Sequence, residues 1–391
     1  MAFQGALRGD RPRDVIRRST IIAVISFLTL IDLFGAQALL PQIIEAYKTN
    51  AGIAGVAVNA ATLGMAVSGI TVAWFADRID RKRGIWICLA LLAIPTAALC
   101  LTESIWAFMA FRILQGTLMA ASFTLTMTYL SEQCEVMAIG GALAAYITGN
   151  VASNLFGRLA AVTMAGATGL SGTFLFFALL NLIGAVFAYV MIGPRDASPP
   201  IRSRSPLAAW RRHFAVPSLR ATFGIGYLIL FIFVGVFTYV NLYLVKELGL
   251  PPRSLGLVYL IFGPAIITTP LAANQVKKYG PKSALLYSLA IVLLGLAFTL
   301  SGSVWIVLTG LSIIGMAIFF AQAAATGYLS KSVTADRAQA NGLYLTSYYL
   351  GGLMGAVVLG QINMAYGWWG TAVAIGIATL LAVALTRNIG K

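Results

Sequence analysis

The sequence predicts an all-α membrane protein of twelve transmembrane helices in two pseudo-symmetric six-helix halves, and three observations carry that expectation. Of 391 residues, 59% are hydrophobic and 10% charged, and the mean hydropathy is +0.87. That composition lies outside the range of water-soluble domains. Apolar segments of roughly 20 residues, enough to cross about 30 Å of hydrocarbon, recur twelve times between charged or Gly/Pro-rich breaks. A polar stretch then separates six of these segments from the other six.

In the first half (1–192) the spans fall at 20–44, 53–76, 84–102, 105–130, 137–161 and 170–192. Residues 193–218 carry GPRDASPPIRSRSP, too polar to cross a bilayer, and are read as a cytoplasmic linker. The second half (219–391) has spans at 220–245, 254–276, 283–301, 303–329, 339–363 and 366–387. The halves repeat one another. The polar loops at Asp77–Gly84 and Lys277–Lys282 lie 200 residues apart, and the Gly116 and Gly315 regions 199 apart. A duplicated six-helix unit places a binding site between the halves near the midplane, with rocking of one half against the other giving alternating access.

The net charge of +15 reflects topology. All but five of the 27 Lys and Arg fall in alternate connections: Arg8 to Arg18, Arg78 to Arg83, Arg195 to Arg220, Lys277 to Lys282, Lys331 with Arg337, and Arg387 with Lys391. The opposite side holds only Lys48, Arg158, Lys246 and Arg253. The positive-inside rule puts both termini in the cytoplasm. No aromatic-interleaved basic face accompanies the charge, so no nucleic-acid partner is expected.

The N-terminus MAFQGALRGDRPRD lacks the apolar core of a signal peptide, leaving the first span to direct insertion. Cys88, Cys100 and Cys134 lack metal-site or disulfide spacing. His213 lies in a basic run of the linker and is read as a solvated loop residue. No nucleotide-binding G-x-x-x-x-G-K-[ST] is present. Neither an enzyme, nor a cofactor or metal site, nor an ATP-driven pump is expected.

Two segments carry a family resemblance. Ala76-Asp77-Arg78-Ile79-Asp80-Arg81-Lys82-Arg83 resembles the cytoplasmic loop signature of the major facilitator superfamily, and Phe111-Arg112-Ile113-Leu114-Gln115-Gly116 is similar to its fourth-helix signature R-x-x-Q-G. Tyr129-Leu130-Ser131-Glu132 and Leu343 to Gly352 resemble the bacterial arabinose-efflux and drug-efflux branch. The loop has Asp80 where the family usually has Gly, and Ala73 at its first Gly. Gly149-Asn150-Val151-Ala152-Ser153-Asn154 stands where antiporters of the superfamily carry Gly-Pro-x-x-Gly-Gly, which counts against export. The resemblance implies a gating role for Asp77, Arg78 and Arg81.

Asp32 is the acid in an otherwise apolar run, Ile21 to Leu40, of a chain with only 12 acidic residues. Intramembrane carboxylates are costly and mark function by default. At 1.5 Å per residue, Asp32 lies about 18 Å from the start of the first span and Arg112 about 10 Å from the outer start of the fourth, so their side chains are within reach of each other. A nearby cation favours the charged carboxylate and burial the neutral one; a site balanced between them suits proton coupling, and a fixed structural ion pair is the alternative. Gln115 follows Arg112 by one turn on the same helix face and is expected, with the polar residues of the fifth span, to contact the substrate. Tyr146, Asn150, Asn154 and Arg158 recur every fourth residue, a polar stripe facing either the cavity or neighbouring helices. The repeat has Leu311 at the position of Arg112, so second-half substrate contacts are expected from Tyr239, Asn241, Gln322, Tyr344 and Tyr348. Gly351, Gly352 and Gly355 are read as close-packing positions, and Trp368 and Trp369 as interfacial.

The reading is a monomeric inner-membrane transporter whose partners are a small organic solute, protons and the lipid bilayer. The resemblance implies proton-coupled efflux. Proton-coupled uptake, and a non-transporting sensor or a channel, stay open as alternatives, although one acidic position makes no selectivity ring.

Overall fold

The computed structural model describes residues 12–75, 79–133, 139–193, 206–251, 254–333 and 336–390. Helices α1 (Pro12–Ala38) and α2 (Leu40–Ala46) make the first pass, bent where Pro41 enters the first turn of α2. Proline has no N–H to continue the helical ladder, so the bend falls where the sequence puts it. Helices α3 (Ala51–Asn59), capped by the Asn50 side chain accepting from Ile53 N at 2.9 Å, and α4 (Ala61–Phe75) make the second. Helix α5 (Arg81–Ala98) is capped by Asp80, whose Oδ1 accepts from Arg83 N at 2.7 Å. The residue that departs from the loop signature is therefore an N-cap.

Helix α6 (Ile105–Gln133) is the fourth pass, and α7 (Ile139–Met191) contains the fifth and sixth, reversing at Gly169 with φ 71°. After the short linker helix α8 (Pro206–Ala215), α9 (Pro217–Lys246) is the seventh pass. The eighth is broken: α10 (Leu255–Val258), a 3₁₀ turn (Tyr259–Phe262), α11 (Gly263–Thr268), a second 3₁₀ turn (Thr269–Leu271) and the start of α12 (Ala272–Phe298). Pro264 and Pro270 interrupt its ladder. Helix α12 reverses at Gly280, φ 80°, into the ninth pass; α13 (Val304–Ser332) is the tenth; α14 (Arg337–Leu385) reverses at Gly367, φ 62°, to carry the last two. The three reversals need left-handed φ values, which glycine adopts at no steric cost.

Among the described residues nine helices are long and apolar enough to cross a membrane. Two of them, Ala145–Met191 and Gln339–Asn388, run 47 and 50 residues. At 1.5 Å per residue each is about twice the length of one crossing, so each makes two passes about its glycine. The broken Leu255–Thr268 segment adds the last, and the twelve-pass expectation is met.

Glycine sets the tightest helix pairs. A Cβ on Gly149 would lie 2.1 Å from Ala23 O and one on Gly157 2.3 Å from Ile31 O, so α7 meets α1 backbone to backbone. In the second half a Cβ on Gly351 would likewise lie 1.9 Å from Tyr227 O and one on Gly355 2.5 Å from Phe231 O, joining α14 to α9. The repeat thus preserves a packing device as well as a loop. Between the halves, α4 packs on α14 and α7 on the broken eighth pass, and Thr346 donates to Ala66 O at 3.1 Å.

One expectation is corrected. His213 is not a solvated loop residue: it is buried on α8, a helix within the linker, with Nε2 3.3 Å from Asp336 O, beside an Arg212–Asp336 ion pair. Beside the Gly367 reversal, Trp368 is 2% exposed, donates Nε1–H to Thr299 O at 3.1 Å and stacks on Tyr243, while Trp369 is exposed.

Candidate functional site

Three polar groups lie inside this apolar bundle. The first surrounds Asp32, buried on α1. The Thr96 hydroxyl (3.2 Å), the Gln115 amide (3.2 Å) and the Asn181 amide (3.3 Å) converge on its Oδ2, from α5, α6 and the second part of α7. Oδ1 has no hydrogen-bond partner. Arg112, also fully buried, donates to Val58 O from Nε and Nη2 at 3.1 and 3.0 Å, to Leu33 O at 3.3 Å and to Gln115 Oε1 at 2.8 Å. Asp32 and Arg112 do not touch directly, as helix-length arithmetic allowed; Gln115 stands between them, accepting from one and donating to the other. Gln115 accordingly sits with the carboxylate inside the first half, away from the cavity between the halves.

That cavity is the second group. Phe123, Tyr146, Asn150, Gln322, Asn341 and Tyr344 line it, with the late turns of α6 and α13 and the first turns of α14. It therefore lies toward the end of the bundle that carries α8. The Tyr146 hydroxyl donates to Phe123 O at 3.3 Å, its ring packing on Phe123 at 4.3 Å. Asn150 Oδ1, Gln322 Oε1 and the Tyr344 hydroxyl have no partner, leaving three polar atoms facing the cavity or its wall. Tyr348 stacks behind Tyr344 at 6.1 Å.

The third group lies toward the opposite end. Arg158, two turns beyond Asn150 on α7, is 0% exposed. It donates to Gln37 Oε1 at 2.5 Å and to Phe237 O at 3.2 Å, and Phe34, Phe233, Phe237, Tyr259 and Phe262 surround its guanidinium with centroids at 4.9 to 5.9 Å. Gln37 donates to Asn59 Oδ1 at 2.7 Å, and Asn59 to Thr238 Oγ1 at 3.3 Å, a chain that crosses from the first half to the second. Asn154 lies buried on the stripe between the cavity and Arg158. Tyr239 donates to Ala356 O at 2.5 Å, which ties α9 to α14, and Asn241 sits beside Tyr259. Neither Tyr239 nor Asn241 lines the cavity.

Of the loop residues, Asp77 and Arg78 lie outside the described residues; Arg81 is buried and donates to Ile79 O at 3.0 Å. Reading the sequence missed Thr96, Asn181, Gln37, Asn59 and Tyr259. Asn181 left a signal, an amide alone in the sixth apolar span, of the kind that turns inward to find partners. Thr96 left none, because threonine is common in membrane helices.

Comparison with known proteins matches the Major Facilitator Superfamily over residues 22–265 and 243–388. The Escherichia coli (strain K12) inner membrane transport protein YnfM is 25% identical over 403 residues, covering 98% of this chain and 94% of that protein. The Bacillus subtilis (strain 168) MFS-type transporter YybF is 23% identical over 372 residues, covering 93% and 91%. Among solved structures, a bacterial homologue of the human lysosomal transporter Spinster, inward-facing and occupied, superimposes with a TM-score of 0.75 at 16% identity, over 97% of each chain. The human organic anion transporter MFSD10 gives 0.73 at 16% identity, over 95% and 98%. With one family spanning nearly all twelve passes, the chain belongs to the Major Facilitator Superfamily and is a multi-pass membrane transporter.

Proposed function

We propose that this chain is a monomeric secondary transporter of the arabinose-efflux and drug-efflux branch, exporting a small organic solute across a bacterial inner membrane in exchange for protons. Both termini lie in the cytoplasm, on the strength of the basic asymmetry. The solute enters the cavity between the halves, where Tyr146, Asn150, Gln322 and Tyr344 contact it. The first half (1–192) then rocks against the second (219–391), the linker 193–218 holding them together, and the loop bearing Asp77, Arg78 and Arg81 gates the cytoplasmic side.

The observation that carries proton coupling is the asymmetry of Asp32. All donors fall on Oδ2, and Oδ1 is bare. A proton can bind Oδ1 without displacing a hydrogen bond. Burial favours the neutral acid, Arg112 and the Oδ2 donors favour the carboxylate, and a small rearrangement of α1 against α6 changes which prevails. Arg112 acts through Gln115 in this arrangement, so reorienting one amide alters the coupling between the two charges.

The test is counterflow in proteoliposomes of the purified chain, followed by solute movement driven by an imposed pH gradient. Exchange of labelled for unlabelled solute, with accumulation that follows the gradient, is the expected result. Conduction without saturation or exchange would discard the carrier reading, and exchange indifferent to pH would discard proton coupling. Movement of solute and protons in the same direction would replace export with uptake.

A further inference from the structure

Arg158 is a permanent cation with no acid to answer it. Among the described residues, the charged side chains buried deep within the spans are Asp32, Arg112 and Arg158. Asp32 and Arg112 are linked through Gln115, which leaves Arg158 as the surplus positive charge. Its two acceptors, Gln37 Oε1 and Phe237 O, are neutral. Tying helices together there needs only a neutral donor, and a buried charge without a counter-charge is costly. The five rings recover part of that cost through cation–π attraction.

One further donor at this spot is unmatched: Arg158 Nε has no acceptor. The Tyr259 hydroxyl lies against Arg158 and Asn241. Arg158 therefore lacks one acceptor, and its charge favours a negative one. Arg158–Phe237 and Asn59–Thr238 both cross between the halves, so separation of the halves at this end opens the site to solvent. Asn154 continues the stripe from the cavity, one helical turn on either side joining Asn150 to Arg158.

We propose that Arg158, with Tyr259, is the anion-binding site of the solute pathway, and that the solute is an organic monocarboxylate whose apolar body packs on the surrounding phenylalanines. A single arginine in an apolar box suits one weakly hydrated negative charge with a hydrocarbon tail better than a doubly charged phosphate. Cationic solutes are repelled by the same charge. This assignment rests on the transporter reading for its direction and pathway, but the binding itself does not depend on it.

The experiment is binding to the purified full chain in detergent, read by thermal shift and titration, with benzoate, phenylacetate and octanoate as probes. The matched amides, benzylamine and sodium chloride are the controls. At least one carboxylate should stabilise the wild type while its amide, the amine and chloride do not. Arg158→Gln should weaken that carboxylate about thirtyfold or more, the scale of removing one partner of a buried charged pair. Tyr259→Phe keeps the ring that packs on the Arg158 guanidinium and removes only the hydroxyl beside it, so it should retain the fold and weaken binding several-fold. Should Arg158→Gln not fold, Tyr259→Phe decides alone, by whether its carboxylate affinity falls. The proposal is overturned if no carboxylate shifts the wild type, if chloride or the amide shifts it equally, or if the variants bind as the wild type does. Counterflow of the same carboxylate is measured in parallel. Binding that depends on Arg158 without counterflow keeps the anion site and removes the transporter reading; counterflow of an uncharged solute with no carboxylate binding does the reverse.

Discussion

Asp32→Asn separates a titrating carboxyl from a structural one, and the geometry sets what each outcome looks like. With its carbonyl oxygen placed where Oδ2 stands, the substituted side chain accepts the same contacts from Thr96, Gln115 and Asn181. Its amide nitrogen then occupies the place of Oδ1, where no acceptor waits. An unmatched buried donor costs about 1–3 kcal/mol. Removing the buried negative charge offsets part of this, and Arg112 keeps four hydrogen bonds to Val58 O, Leu33 O and Gln115. The variant should therefore fold, with stability within about 2 kcal/mol of the wild type. Transport changes far more. If one proton moves per solute, one pH unit supplies about 1.4 kcal/mol and supports roughly a tenfold concentration ratio. In proteoliposomes with that gradient, wild type should approach a tenfold ratio, and Asp32→Asn should equilibrate the solute to a ratio near one while still exchanging labelled for unlabelled solute. A variant that still reaches the wild-type ratio would show that Asp32 is not the titrating group and would leave it as a structural acceptor joining four passes.

Three further outcomes follow from the packing and the charge distribution. A Cβ on Gly116 would lie 1.8 Å from Ala61 O, so Gly116→Ala should force α6 off α4 and lower stability by about 1–3 kcal/mol. The thermal midpoint of the purified protein should fall, whereas Gly327→Ala, which meets nothing within 4 Å, should hold or raise it. Arg212 pairs with Asp336 but its side chain is 66% exposed, so Arg212→Ala should change stability by less than about 1 kcal/mol, an effect that vanishes in high salt; a larger loss in denaturant titration would mean the linker helix is a structural clamp. A cysteine placed at Ser203, once the native cysteines are removed, should resist an impermeant thiol reagent in intact cells, and efficient outside labelling would invert the proposed orientation.

What the sequence by itself determined about this protein was its class and periodicity. Hydropathy reports crossing because each pass must satisfy its own backbone in lipid, and that demand is local. The all-helical membrane class and its twelve spans were legible for that reason, as was Asp32, whose charge stands out against any apolar run. Where α7, α12 and α14 reverse was readable only in part: Gly169, Gly280 and Gly367 are three among 39 glycines, and left-handed φ is invisible until the chain turns. The site belonged to the tertiary structure. Tyr146, Asn150, Asn154 and Arg158 share a stripe by helical period, but only the packing of α7 against the eighth pass puts Tyr146 and Asn150 on the cavity wall and Arg158 among aromatic rings. Gln115 sits one turn after Arg112 in any helix, yet its position between Arg112 and Asp32 requires α1 and α6 to meet at that depth. Residues brought together from helices far apart in sequence leave no periodic trace. Their partnership is decided by which faces the helices turn toward one another, and those faces are set by close-packed glycines and by buried polar atoms that must find partners.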